Sequence, residues 1–313
     1  YLAHGAMKAI EVALAVSGAD KVNAVGWCVG GTILSSALAV LGARGDESVA
    51  SLTLLTTMLD FREPGDLGVF IDEQGVSQRE KTIGQGGIYP GAELGFVFQT
   101  LRANDLIWPN VINNYLKGKS PEAFDLLYWN ADATNLPGPM YAWYLRNMYL
   151  ENNLREPNRL TMCDTKVDLG AISMPSYVLA TQEDHIVPWR SAYRTTQLVG
   201  GKSQFVLGAS GHIAGVINPA SKNKRSYWTG GKQGDDAQAW FASATETPGS
   251  WWNHWIKWVS PKAGEAVAAR RKLGSKQHPV IEPAPGPYVK FKAIQPTSPT
   301  TTSLLKCVAK GRC

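Results

Sequence analysis

Apolar runs and helical patterns alternate along much of the chain. Residues 5–17 carry apolar side chains at helical spacing and predict a helix, the apolar run 21–27 predicts a strand, and 31–44 predicts a second helix. Strands are also predicted at three later runs, 50–59, 173–181 and 203–210, and the first of these is a continuous run rich in Leu and Thr. Strands that alternate with helices predict an α/β fold with a mostly parallel, doubly wound sheet.

The segment 60–172 interrupts this alternation. It is rich in Trp, Tyr, Asn and Pro, and it predicts an inserted, mainly helical cap over the strand ends, where ligands bind in open α/β sheets. The core of the fold then comprises 1–59 and 173–293. Such a cap would exclude water from a reactive acyl group. The alternative for these aromatic residues is ordinary packing between the helices of a large core.

Two further features lie near the C-terminus. Trp251, Trp255 and Trp258 follow one another at i, i+4 and i+7, which places them on one face of a helix and favours packing against the core over an exposed interface. Residues 294–313 begin as a low-complexity segment of Pro, Ser and Thr and end in a short basic stretch. We therefore expect a disordered or non-native tail there, and we assign no role to its cysteines.

Composition narrows the classes of function. The chain has 313 residues, of which 44% are hydrophobic and 18% charged, enough for a large domain with an insertion. Its net charge is +5, and Lys306, Lys310 and Arg312 in the tail supply three of these charges, so we expect no nucleic-acid partner. We expect no membrane span and no signal peptide. The four cysteines have no regular spacing, which argues against a disulfide framework or metal site and favours the cytoplasm.

The candidate nucleophile lies at the end of the first predicted strand. The sequence "VGWCVGG" has the pattern G-x-C-x-G between a strand and a helix, which is typical of the sharp turn that presents a nucleophile. In this interpretation Cys28 is the nucleophile. The backbone N–H of Val29 supplies half of an oxyanion hole. Gly30 and Gly31 are expected to allow close approach of the backbone in this turn.

A cysteine in place of the more common serine suits a thioester substrate. Attack by Cys28 would exchange one thioester for another at little free-energy cost, whereas a serine would form the more stable oxyester. The acyl-enzyme would then stay activated for attack by a weak nucleophile such as an alcohol. A thiol, with an ordinary pKa near ~8.5, also needs less help from a base than an alcohol does. We therefore expect acyl transfer, with hydrolysis as the alternative.

A base and an orienting acid follow in the order that such a nucleophile requires. The chain has five histidines, and His212 is the candidate base because it lies in the loop directly after the last predicted strand. Asp184 is the candidate acid because it lies in the turn after the preceding strand. Its neighbour Glu183 is an alternative that the sequence leaves open. Cys28, Asp184 and His212 are thus the predicted catalytic residues.

Four segments closely resemble class I polyhydroxyalkanoate synthases: "GWCVGGT", "NYLKGKSPEAFDLLYWNADATNLPGPMYAWYLRNMYL", "DHIVPW" and "GASGHIAGVINPASKNKRSYW". The resemblance covers residues 1–293 and implies an α/β-hydrolase fold with an inserted helical cap. It implies polymerisation of 3-hydroxyacyl-CoA, with 3-hydroxybutyryl-CoA the expected substrate, into a polyester with release of CoA and without a cofactor. Cys28 would carry the growing chain, with Asp184 and His212 matching the family's Asp and His. Whether this Asp orients the His or helps to activate the incoming hydroxyl stays open.

The resemblance also implies partners and a location. Members of this family work as homodimers with a mobile cap, on the surface of cytoplasmic polymer granules. They carry strands upstream of the nucleophile strand, one of which leads to the second oxyanion donor. We therefore expect an N-terminally truncated catalytic region with an incomplete oxyanion hole. The alternatives are a cysteine-type α/β-hydrolase or thioesterase, and a truncated, non-catalytic chain that associates with granules.

Overall fold

The structure, a computed structural model, describes residues 1–120 and 133–291. The chain forms two compact units: the first comprises Tyr1–Asp72 and Leu145–Ile281, and the second comprises Glu73–Tyr144 and the chain from Glu282 onward. The boundaries expected for the inserted cap stay a prediction. The predicted tail, 294–313, and part of the predicted cap lie outside the described residues.

The strands are numbered in chain order. They are β1 (Val22–Trp27), β2 (Val49–Leu55), β3 (Ile88–Tyr89), β4 (Leu136–Pro137), β5 (Thr161–Met162), β6 (Thr165–Lys166), β7 (Ser176–Thr181), β8 (Ser203–Gly208), β9 (Ser226–Thr229) and β10 (Thr245–Pro248). In the first unit a six-stranded sheet has the order β1-β2-β7-β8-β9-β10. Its first four strands are parallel, whereas β9 and β10 pair antiparallel. The prediction of a mostly parallel sheet is confirmed.

The burial of each strand follows its position in the sheet. All six residues of β7 are buried, as expected for a central parallel strand that is covered on both faces. The strand β1 instead alternates between buried and exposed positions, and Val25 on it is 52% exposed. Among the described residues, β2 is the single neighbour of β1 in the sheet. The strand that leads to Cys28 therefore has one open edge in the described part of the chain.

The helices are likewise numbered in chain order. They are α1 (Lys8–Ser17), α2 (Val29–Ala43), α3 (Glu73–Thr82), α4 (Gly91–Leu101), α5 (Ala103–Leu106), α6 (Trp108–Asn110), α7 (Gly138–Tyr144), α8 (Trp189–Tyr193), α9 (Thr195–Leu198), α10 (Ala214–Ile217), α11 (Ala237–Ser243) and α12 (Trp252–Val259). A π-helical segment, Leu2–Met7, precedes α1. Both helices predicted near the N-terminus are confirmed, and α2 begins directly after Cys28.

Two expectations about strands need correction. The strand predicted at 50–59 ends at Leu55, because the backbone turns at Thr56 with φ +42°. The strands β9 and β10 were not predicted from sequence. The residues of β9 are all half-buried, and those of β10 are mostly exposed, so neither strand has the continuous apolar pattern of the central strands.

The tryptophans near the C-terminus pack against the core, as predicted. Trp251 is 1% exposed and lies in a cluster of buried side chains with Tyr177 and Val216. Trp255 and Trp258 are partly buried and pack against the same cluster. The indole N–H of Trp251 donates to the backbone carbonyl oxygens of Gly215 (3.1 Å) and Val216 (3.0 Å). Trp251 therefore anchors α10, the short helix that follows His212.

Removal of the Trp251 side chain should destabilise the first unit strongly. We expect Trp251→Ala to lower the free energy of unfolding by about 3–5 kcal/mol, because it empties a large buried volume and removes a hydrogen-bond donor. Ile256→Ala is the matched control on α12, since Ile256 is 47% exposed. It should cost less than about 1 kcal/mol. Urea unfolding followed by tryptophan fluorescence and circular dichroism measures both, and equal losses would contradict the assigned packing.

Candidate active site

The backbone at Cys28 has the geometry of a sharp strand-to-helix turn. Cys28 follows β1 and precedes α2, with φ +53° and ψ −129°. A positive φ is uncommon for a residue other than glycine and persists only where the surroundings enforce it. Here the N–H of Cys28 donates to the carbonyl of Leu55 (2.9 Å), and its carbonyl accepts from the N–H groups of Gly31 (2.9 Å) and Thr32 (3.3 Å). The turn is therefore bonded to β2 on one side and to the first turn of α2 on the other.

Two glycines allow this turn to close. A Cβ on Gly26 would lie 2.5 Å from the Cα of Gly31, and a Cβ on Gly31 would lie 2.0 Å from the Oγ1 of Thr57. The expectation of close approach is thus met at Gly31 but wrong for Gly30, where a built Cβ meets no described atom within 4 Å. Sequence reasoning missed Gly26 and Thr57 as determinants of the turn. The first glycine of the motif was a visible signal for Gly26; nothing local pointed to Thr57.

The carboxylate of Asp184 is held in one orientation. Asp184 lies in the turn after β7, and its side chain is fully buried. One oxygen, Oδ1, accepts from the backbone N–H groups of Ile186 (2.8 Å) and Val187 (2.9 Å). The other, Oδ2, lies 2.7 Å from the Nδ1 of His212 and accepts its N–H. Both oxygens are engaged, so the carboxylate is positioned to fix the tautomer and direction of the imidazole.

His212 lies in the loop after β8, between Asp184 and Cys28. The chain enters this loop through Ser210, which has φ +77°. Burial by itself lowers the pKa of His212, but hydrogen bonds to Asp184 and Cys28 outweigh burial and raise this pKa from 6.5 to about 10. The imidazole therefore holds a proton in the neutral pH range, next to the sulfur on one side and the carboxylate on the other.

The structure distinguishes the predicted acid from its rival. Glu183 is exposed, whereas Asp184 is buried and accepts the hydrogen bond from His212. A half-buried histidine, His254, has a different environment: its Nδ1 lies 3.1 Å from the hydroxyl of Tyr177, and burial lowers the pKa of His254. The structure therefore brings together Cys28, Asp184 and His212, in the combination expected from the sequence.

The same turn places the N-terminus of α2 directly beside Cys28. The first N–H groups of a helix have no partner within it, and α2 has no side-chain hydrogen bond that caps this end. The N–H of Val29 is the first of them, immediately beside the candidate nucleophile. The role of Val29 as an oxyanion donor stays a prediction. The partial positive charge at this helix end would favour a developing oxyanion.

In the part of the chain that the structure describes, His, Cys, Asp and Glu side chains do not gather in groups of three or more that could hold a metal ion. Cys28 and Cys163 are both free thiols. In the same residues, no helix combines the length and apolar character needed to cross a membrane.

Comparisons with known proteins indicate the family of the chain. A model of the alpha/beta hydrolase fold family matches residues 6–219. The chain is 55% identical to the poly(3-hydroxyalkanoate) polymerase subunit PhaC of Cupriavidus necator over 94% of this chain and 51% of that protein. It is 44% identical to PhaC of Rhizobium meliloti over 94% of this chain and 48% of that protein. The chain therefore spans about half the length of these curated relatives.

Similarity to solved structures is weaker. The crystal structure of the Paleococcus ferrophilus monoacylglycerol lipase is 14% identical in sequence and has a TM-score of 0.37. The match covers 66% of this chain and 65% of the lipase.

The raised pKa of His212 predicts a specific pH dependence of stability. The folded chain binds a proton at His212 more tightly than the unfolded chain, whose histidine has an ordinary pKa near ~6.5. This contribution to stability is therefore fully present below about pH 6.5 and is lost as the pH rises through about 10. Asp184→Asn removes the carboxylate, so it should lower the pKa of His212 and flatten the decline in stability over this range.

Urea unfolding at several pH values from 6 to about 10, together with an NMR titration of the His212 ring, measures this effect. Glu183→Gln is the matched control, because it removes an exposed carboxylate from the neighbouring position. It should leave the pKa of His212 unchanged. Identical pH dependence in Asp184→Asn and the unmodified chain would show that Asp184 does not govern the charge of His212.

Proposed function

This chain belongs to the α/β-hydrolase fold family, and we propose that within it the chain is the catalytic region of a poly(3-hydroxyalkanoate) polymerase. The observation that carries the proposal is the arrangement of Cys28, His212 and Asp184 in a chain 55% identical to a polymerase subunit over 94% of its length. The substrate is a 3-hydroxyacyl-CoA thioester, with 3-hydroxybutyryl-CoA the expected example. The products are a polyester and free CoA.

The first half of the reaction transfers the acyl group to sulfur. The raised pKa of His212 favours transfer of the Cys28 proton to the imidazole before the substrate reacts, and the resulting thiolate attacks the carbonyl carbon of the CoA thioester. The tetrahedral oxyanion forms beside the N–H of Val29 at the start of α2. When this intermediate collapses, the bond to the CoA sulfur breaks, and His212 returns its proton to the departing CoA thiolate. One thioester has then replaced another, and the acyl group remains activated.

The second half elongates the polyester. The 3-hydroxyl group of another acyl unit attacks the Cys28 thioester while His212 accepts the hydroxyl proton. An ester bond forms, the bond between carbon and the Cys28 sulfur breaks, and the Cys28 thiolate is restored beside the protonated His212. Asp184 acts through the imidazole, which its hydrogen bond holds with Nε2 available for these transfers. The engagement of both Asp184 oxygens supports this orienting role over direct activation of the hydroxyl.

The further assignments rest on the family resemblance. They are a homodimer, attachment to the surface of polymer granules in the cytoplasm, and a cap formed by the predicted segment 60–172. A cap would favour transfer to a hydroxyl over hydrolysis by limiting the access of water to the acyl-enzyme.

The decisive test is release of CoA from 3-hydroxybutyryl-CoA, with the product examined for insoluble polyester. We expect release with polymer in the unmodified chain. Cys28→Ala should abolish it, and His212→Ala should lower the rate by at least about a hundredfold, because the thiol loses its base. Cys163→Ala is the matched control, since it removes the other described free thiol and should leave the rate unchanged.

The products separate the proposal from its alternatives. Release of CoA with only free 3-hydroxybutyrate would favour a cysteine-type hydrolase or thioesterase. No release from correctly folded protein would favour a non-catalytic chain. Release that persists in Cys28→Ala would contradict the assigned nucleophile. Mass spectrometry of intact protein after brief exposure to substrate should show an acyl adduct on the Cys28 peptide and on no other cysteine peptide.

A further inference from the structure

Thr57 packs against the turn at Cys28. It comes two residues after β2 ends, just past the strained backbone of Thr56, and it is fully buried. Its hydroxyl donates to the carbonyl oxygen of Leu55 at 3.2 Å. The same carbonyl oxygen accepts the N–H of Cys28 at 2.9 Å. The hydroxyl of Thr57 and the backbone of the candidate nucleophile therefore share one acceptor.

The same hydroxyl oxygen also lies against the other side of the turn. It is the atom nearest to the position that a Cβ on Gly31 would take, at 2.0 Å, closer than the methyl carbon of Thr57 at 2.7 Å. Gly31 in turn donates its N–H to the carbonyl of Cys28. The hydroxyl oxygen of Thr57 thus contacts the carbonyl of Leu55, which accepts the N–H of Cys28. It also contacts Gly31, whose N–H donates to the carbonyl of Cys28.

This arrangement matters because the backbone at Cys28 is strained. A non-glycine residue with φ +53° relaxes unless its neighbours prevent it, and relaxation would rotate the Cys28 side chain and the first N–H groups of α2 together. A second contact reinforces the same connection: the hydroxyl of Thr32, in α2, donates to the carbonyl of Met58 at 2.9 Å. Through these hydrogen bonds and contacts, the segment from Leu55 to Met58 helps to hold the backbone of the turn at Cys28 in place.

We propose that Thr57 is a positioning residue, whose hydroxyl holds Cys28 and the N-terminus of α2 in the geometry required for acyl transfer. This rests on the proposed role of Cys28 as the nucleophile. Thr57 does not touch the substrate; it acts through Leu55 and Gly31. A residue that only packs beneath the turn would affect the stability of the fold, whereas a positioning residue also affects the rate of each folded molecule.

Three substitutions separate these roles. Thr57→Ser keeps the oxygen and both of its contacts, Thr57→Val keeps the size but replaces the oxygen with a methyl group, and Thr57→Ala removes both branches. We expect kcat for CoA release, per folded molecule, to fall about tenfold or more in the Val and Ala variants, with KM changed by less than about threefold. The Ser variant should retain kcat within about threefold of the unmodified chain.

Thr53→Val is the matched control. Thr53 is a buried threonine of β2 whose Oγ1 accepts the indole N–H of Trp255 at 3.0 Å. Its substitution should lower the melting temperature without lowering kcat per folded molecule. Unchanged kcat in Thr57→Val and Thr57→Ala, or an equal loss in Thr57→Ser, would overturn the proposal. If Thr57→Ala does not fold, the comparison of Ser with Val decides.

A second measurement is independent of the proposed function. The rate at which iodoacetamide alkylates Cys28, measured by mass spectrometry of its peptide, reports how the sulfur is presented next to His212. At pH 7 it should fall about tenfold in Thr57→Val and recover in Thr57→Ser, with Cys163 alkylated at the same rate throughout. If the unmodified chain releases no CoA, the polymerase proposal fails, and these alkylation rates still decide whether Thr57 positions Cys28.

Discussion

The backbone at Cys28, which has a positive φ, is the constraint on which the arrangement of the site depends. It turns the chain from the end of β1 into α2 within one residue, so the sulfur and the first N–H groups of the helix lie at the same edge of the sheet. A strained residue needs partners on both sides, and these are the carbonyl of Leu55 and the N–H groups of Gly31 and Thr32. Close packing at Gly26 and Gly31 leaves no room for side chains there. The cost of the strain is therefore met by the strand and helix that enclose it.

Parallel strand order explains how distant residues meet this turn. Cys28, Asp184 and His212 follow β1, β7 and β8, and the carboxyl ends of parallel strands lie at one edge of the sheet. Electrostatic interactions then depend on that placement: the buried carboxylate of Asp184 and the Cys28 side chain together favour the protonated imidazole strongly enough to overcome the burial of His212. The protonated imidazole of His212 lies between the Cys28 sulfur and the Asp184 carboxylate, so it can donate a proton to a departing thiolate. This property suits the exchange of one thioester for another.

Much of the fold and the candidate site follows from local sequence. The G-x-C-x-G motif, the buried central strands and the loops after β7 and β8 are each visible in short windows. The distinction between Glu183 and Asp184 is not visible there, because it depends on which carboxylate the turn buries; the N–H groups of Ile186 and Val187 select Asp184. The spacing of glycines in the motif likewise does not show which of them contacts a distant segment of the chain. Gly31 contacts Thr57, 26 positions further along the chain, and β9 and β10 lack an apolar pattern because one is half-buried and the other mostly exposed.

The cysteine at position 28 connects this geometry with the proposed reaction. A triad on this fold is compatible with transfer to water or to another hydroxyl, since the imidazole can remove a proton from either. The difference lies in the acyl-enzyme: an oxyester on serine has already lost the activation of the CoA thioester, whereas a thioester on Cys28 retains it. In the proposed reaction, formation of the polyester bond would then release that free energy in the elongation step, where the acceptor is weak. The protonated His212 favours the same outcome, because a thiolate leaves readily from an intermediate that faces an acid.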